Sequence, residues 1–217
     1  MRVVEVQVAD APEAWAAAGF VVDHDVVRLG TVALRLTGAD QGVRGITGWT
    51  VAGLTVADGA IDGLPTTATA SDGPAPAATT PASHPNGATG IDHLVVLTPD
   101  LDRTIAAVEA TGLLCRRIRE TEQRGTPMRQ AFFRLGPTIL EVVSGDVGVG
   151  VPASDAPATW FGLAIDVDDL DATATHLGDG LGRIKVAVQD GRRIATLRHQ
   201  GFGMSVAVAA MDRHADR

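Results

Sequence analysis

Ile91-Asp92-His93-Leu94-Val95-Val96-Leu97-Thr98-Pro99-Asp100-Leu101 (91–101) is the stretch on which the fold turns. Apolar and β-branched residues dominate its first seven positions, the mark of a strand. Thr98 then offers a helix N-cap, with Pro99 at the first helical position, where a missing N–H costs nothing. Leu101, Ile105 and Val108 recur at helical spacing, and Gly112 closes the helix. Strand-like stretches follow near 113–119, 129–135 and 138–144, the last two joined by a Gly136-Pro137 turn. The unit is one strand, one helix and three strands.

The same plan recurs downstream. Residues 161–167 read as a strand, Asp168 as a cap, and Leu170, Ala174 and Leu177 as one face of a helix that Gly178 ends. Strands follow near 183–188, 192–198 and 204–210. Upstream the copy is worn. Residues 3–9 form a strand, Asp10 with Glu13 resembles a capping box, and a short Ala-rich helix stops at Gly19. Val27-Arg28-Leu29-Gly30 and the apolar run after it parallel Phe133-Arg134-Leu135-Gly136 and the run after that. The expected organisation is a degenerate βαβββ module at 1–64, a Pro/Ala/Thr-rich linker at 65–89, paired βαβββ modules at 90–212 and a tail at 213–217. The fold class is α+β, tandem modules forming a cupped mixed sheet with helices outside.

Composition narrows the function. The 217 residues carry a net charge of -8 and a pI near 5.1, which argues against a nucleic-acid surface built from clustered basic groups. Cys115 is the sole cysteine, so neither a disulfide framework nor a thiolate cluster is available. At the start of a strand it reads better as a small core residue than as a nucleophile. The N-terminus shows no secretory pattern, and no apolar run approaches the ~20 residues that cross a bilayer. The expectation is a cytoplasmic protein without membrane partners. There is no phosphate-binding G-x-x-x-x-G-K-[ST] loop, and Ser144-Gly145-Asp146 lacks the setting of a nucleophile elbow. Asp166, Asp168, Asp169 and Asp171 lack the glycine and terminal glutamate of a calcium loop, so helix capping explains them.

The segments Ile91–Val96, Thr138–Val143 and Leu163–Ala172 together resemble the vicinal oxygen chelate superfamily. That superfamily includes glyoxalase I, extradiol dioxygenases, methylmalonyl-CoA epimerase, and bleomycin- and fosfomycin-resistance proteins. The segment from His84 to Leu101 also looks like an uncharacterised glyoxalase-like subgroup. The resemblance implies two modules paired around a metal or ligand, with one metal ligand from the first and one from the last strand of each module. His93 and Glu141 fill both positions in the module that begins at Ile91. In the next module Phe161-Gly162 and Ala207 stand where the other two belong. Because such modules commonly pair between chains, an odd count makes a homodimer the expectation.

A carboxylate among branched aliphatics, as Glu141 is, must be paired, protonated or metal-bound. One reading is therefore a divalent metal (Fe, Mn, Zn or Ni) on His93 and Glu141, with a third ligand from His84 or His199 and Glu141 as the catalytic group. The other is a neutral histidine and a hydrogen-bonded carboxylate in a metal-free pocket. His84, in His-Pro-Asn-Gly, also reads as a turn. Strand alternation offers Arg129, Phe133 and Trp160 as substrate contacts, Arg129 alternatively pairing with Glu141 and the aromatics alternatively filling core. Two functions stay open: a glyoxalase-like lyase, isomerase or oxygenase acting on a small molecule, and a metal-free small-molecule binding or resistance protein.

Overall fold

A computed structural model describes residues 1–38, 42–55, 59–70, 83–123, 125–145 and 155–213. The N-terminal half forms a seven-stranded sheet from β1 (Arg2–Val8), β2 (Val22–Asp23), β3 (Val26–Leu29), β4 (Val32–Leu36), β5 (Ile46–Ala52), β6 (Gly59–Ile61) and β7 (Leu64–Thr69), with α1 (Pro12–Ala17) after its first strand. Its order is β2-β3-β4-β1-β5-β7-β6. The C-terminal half supplies β8 (Ala88–Leu97), α2 (Leu101–Glu109), β9 (Cys115–Gln123), β10 (Thr126–Leu135), β11 (Thr138–Ser144), β12 (Thr159–Val167), α3 (Leu170–Leu177), β13 (Lys185–Val186), β14 (Arg193–Thr196) and β15 (Ala207–Asp212). These strands make one curled, eight-stranded mixed sheet in the order β13-β14-β15-β12-β8-β11-β10-β9.

Both sheets follow one plan. Two modules meet along their first strands, β8 antiparallel to β12 and β1 antiparallel to β5. The last strand of each module then pairs in parallel with its own first strand: β11 with β8, β15 with β12, β4 with β1 and β7 with β5. The N-terminal half is thus a pair of modules and not the single worn copy expected over 1–64. Its second member is cut short, with no helix among the described residues between β5 and β6 and only two strands after it. The module count is then even, which removes the reason for expecting a homodimer.

The polar run Leu64–Thr69, largely assigned above to a linker, is an inner strand of the first sheet. Leu64 and Thr66 alternate into the core, where the Thr66 hydroxyl accepts a 2.8 Å hydrogen bond from Trp49 Nε1. Residues 71–82 of that stretch lie outside the described residues. The internal match holds in three dimensions. Gly30 and Gly136 turn the β3–β4 and β10–β11 hairpins with φ of 61° and 69°, a region that favours glycine.

The helix caps sit a residue or two from where the sequence placed them. Asp100, not Thr98, caps α2 by accepting from Arg103 N, and Asp169, not Asp168, caps α3. Asp10 caps nothing: buried, it accepts from Trp15 Nε1 and from both the backbone and hydroxyl of Ser205. One apolar cluster runs through both halves, with Trp49 packed edge-on against Trp160 at a centroid distance of 5.2 Å. Among the described residues no helix is long and apolar enough to cross a membrane.

Candidate functional site

The curl of the second sheet leaves a cup on the face away from the core, and His93 lies on its floor. Along β8, Leu94 and Val96 are fully buried in the core while His93 and Val95 face the cup. Ile91 does not share the cup face, as simple alternation from His93 implies. In the ladder with β12, His93 pairs with Ala164 and Ile91 with Ile165, leaving Asp92 as an extra residue. Such a bulge re-aims side chains next to it. Here it lets two consecutive residues, which would otherwise point to opposite faces, form a 2.8 Å hydrogen bond between His93 Nδ1 and Asp92 Oδ1.

Asp92 is fully buried and also accepts from Arg192 at 2.8 Å. The same guanidinium donates to Asp166 at 2.7 Å and to the Asp212 carbonyl at 2.6 Å. Burial by itself pushes the Asp92 carboxyl up, but the hydrogen bonds and charges of His93 and Arg192 outweigh it and hold the group well below the usual carboxylate range. An ionised carboxylate only accepts, so Nδ1 carries the proton. Nε2 is thereby turned toward Glu141, whose Oε2 stands 3.6 Å away. The other Glu141 oxygen is gripped by the Gln130 side-chain amide.

Two acceptor atoms facing each other at 3.6 Å call for something positive between them, a shared proton or a metal ion. A catalytic divalent ion usually takes three protein ligands. Among the described residues, no group of three or more His, Cys, Asp or Glu side chains is placed to hold one. His84 is spent elsewhere: its Nδ1 accepts from Val21 N at 2.9 Å and its Nε2 lies 2.8 Å from the Arg28 carbonyl, tying the two halves together. His199 lines an apolar hollow that His93 also borders, yet completes no ligand cluster. The second half-site is shut sterically. The pairings Val95 with Gly162 and Ala164 with Ala209 place Gly162 and Ala209, rather than Ala207, at the positions equivalent to His93 and Glu141. A Cβ on Gly162 would meet the Ala207 carbonyl oxygen at 2.2 Å. Among the described residues, no third ligand joins His93 and Glu141.

Of the expected substrate contacts, Arg129, Phe133 and Trp160 all lie on the wrong side. In the β10–β11 hairpin Phe132 stands opposite Glu141, and Phe133 opposite the core residue Leu140. Phe133 is consequently buried, Arg129 pairs with Asp102 of α2 rather than with Glu141, and Trp160 packs against Trp49. Gln130 and Phe132 face the cup in their place, with Arg119 beside them. Phe161 does reach it, as the extra residue of a second bulge between Trp160 and Gly162. His93 borders two hollows: one of about 200 Å³ with Arg119, Gln130 and Glu141, and a more apolar one of about 360 Å³ with Val95, Phe161, Ala207 and Ala209. Cys115 is half-buried in β9, its thiol 3.5 Å from the Arg117 carbonyl, away from the cup.

No protein-family model and no curated protein matches the sequence. Solved structures match the fold. A triple mutant of 4-hydroxymandelate synthase from Streptomyces coelicolor is similar over 100% of this chain and 93% of its own, with a TM-score of 0.68 and 19% identity. Methylmalonyl-CoA epimerase from Mycobacterium tuberculosis matches 60% of this chain and 91% of its own, with a TM-score of 0.45 and 18% identity. The Streptomyces coelicolor epimerase in complex with 2-nitronate-propionyl-CoA matches 59% and 96%, with a TM-score of 0.46 and 22% identity. The chain has the vicinal oxygen chelate fold.

Proposed function

We propose that this chain is a glyoxalase-like enzyme of lyase or isomerase type that moves protons on a small molecule held in the cup of its second sheet. The supporting observation is the chain of contacts Arg192–Asp92–His93, which ends 3.6 Å from a carboxylate on the cup floor. When the proton of the pair sits on His93 Nε2, Glu141 is a carboxylate. Glu141 is then the base and His93 the acid. Glu141 removes a proton from a carbon next to a carbonyl, and the C–H electron pair moves onto the carbonyl oxygen. That oxygen takes the Nε2 proton, giving an enol. Where the first carbon bears a hydroxyl, Glu141 returns its proton to the former carbonyl carbon while that hydroxyl gives its proton back to His93 Nε2, so the carbonyl re-forms one carbon along and both residues are restored. No step requires a metal.

The test is solvent exchange. Small oxo acids and hydroxy ketones are incubated with the protein in deuterium oxide, and loss of their carbon-bound proton is followed by NMR. Exchange by the wild type that falls at least about 100-fold in Glu141→Gln supports the reading. Absence of exchange with every probe, or full exchange by E141Q, overturns it. So does stoichiometric metal in the purified protein that His93→Ala and Glu141→Ala each lose. The closed second half-site favours one other reading, a binding protein that encloses its ligand unchanged. Calorimetric binding of a probe without any exchange would establish that alternative.

A further inference from the structure

Resting on that reading, we infer that the cup takes a small carboxylic acid bearing a hydroxyl group, with its carboxylate on Arg119. The first observation is an unused cation. Arg119 lines the 200 Å³ hollow together with Glu141 and His93, and among the described residues it has no ion-pair partner. Three other arginines of the second sheet are spent: Arg129 on Asp102, Arg192 on Asp92 and Asp166, and Arg193 on Asp212 and Asp171; Arg117, opposite Phe132, does not line the hollow. A guanidinium presents a planar fork that matches a carboxylate in bidentate fashion, and it binds more strongly in a hollow than on open surface.

The second observation is an unmatched acceptor. Gln130 is 9% exposed and pairs across the strands with Arg119. Its amide nitrogen donates to Glu141, which fixes the amide's orientation, and its Oε1 is then buried without a donor. Such an atom costs stability unless something donates to it. The donor a bound acid can bring is a hydroxyl, once the amide shifts enough to open this atom to the hollow. The third observation is the apolar hollow across His93, whose wall of Val95, Phe161, Ala207 and Ala209 suits an alkyl or aryl substituent and no charge. Carboxylate, hydroxyl and apolar group therefore converge on the base–acid pair from three sides.

Calorimetry on the intact chain tests this with three probes: 2-hydroxy-3-methylbutanoate, its methyl amide, and 3-methylbutanoate. The wild type is expected to bind the hydroxy acid about tenfold more tightly than the amide and a few-fold more tightly than the acid without the hydroxyl. Arg119→Gln should erase the preference for acid over amide, and Arg119→Lys should restore part of it. Glu141→Gln should keep that preference while losing proton exchange. The inference is overturned if the wild type binds acid and amide alike, binds none of the three, or if R119Q retains the tenfold preference. Normal exchange by E141Q would sink the proton-transfer reading while leaving the recognition of the acid intact, so the two failures are distinguishable.

Discussion

The two sheets put different chemistry at the same place. Counting five residues past the hairpin glycines Gly30 and Gly136 reaches Arg35 in the first sheet and Glu141 in the second. The parallel registers agree: Gln7 pairs with Arg35 as Val95 pairs with Glu141, and Glu5 pairs with Ala33 as His93 pairs with Ile139. In the first sheet the two positions hold a complementary pair, Arg35 and Glu5, closed at 2.8 Å and self-sufficient. In the second they hold two groups that compete for one proton across 3.6 Å. A matched pair leaves nothing to react. A mismatched pair, held in place by a buried Asp92–Arg192 network, is the one on which the proposed proton transfer rests. The fold supplies the location and the residue choice decides whether it is inert.

The sharpest way to break this comparison is to neutralise the charged residue that each sheet carries five places past its hairpin glycine. Glu141→Gln is expected to lower proton exchange by about 10² to 10⁴-fold, whereas Arg35→Gln leaves it unchanged. An equal loss in both would mean that the two sites are not chemically distinct. Next in size is the support beneath the second pair. Arg192→Met removes the cation shared by two buried carboxylates and should cost about 3–5 kcal/mol by urea denaturation. Restoring a side chain at Gly162 comes third. Gly162→Ala forces β12 away from β15 and should cost about 1–3 kcal/mol, read as a lower denaturation midpoint.

Acid sensitivity separates the halves as well. The folded-state pKa of Asp92 is depressed, so its stabilisation is complete above the unfolded value near 4 and is lost as pH falls below it. Urea titrations between about pH 6 and 3 should show that loss, and Asp92→Asn should flatten the slope. The smallest effect is expected for Glu5→Gln. That pair is partly open to solvent and should contribute only about 0.2–1 kcal/mol.

Much of this was legible before any coordinates. The strand–helix–strand order around Ile91 and Phe161 follows from apolar periodicity, and the pairing of His93 with Glu141 is what the resemblance to the vicinal oxygen chelate superfamily implies. The fourth, shortened module was not, because Leu64–Thr69 buries threonine where a strand usually buries aliphatics, and Trp49 satisfies it from another strand. The choice of Arg129 and Phe133 failed on parity. Counting back from the Gly136-Pro137 turn pairs Phe132 with Glu141, a signal present in the sequence but only once the hairpin register is fixed. Two bulges, at Asp92 and Phe161, break alternation at the site itself, and no local pattern announces them. Arg192 lies 100 residues from Asp92, so only the folded sheet brings it there.

The near-contact of Gly162 with Ala207 also bears on what the protein can become. A ligand lost by substitution alone could return by substitution alone. Here the strands stand so close that a histidine at 162 would strike backbone rather than a yielding side chain. The closure works as a latch. A four-ligand centre would require β12 and β15 to part as well as new ligands at 162 and 209. Further change in this pocket is therefore channelled toward the walls that still admit variation, Arg119, Phe161 and the small residues of β15, and so toward what is bound rather than how it is activated.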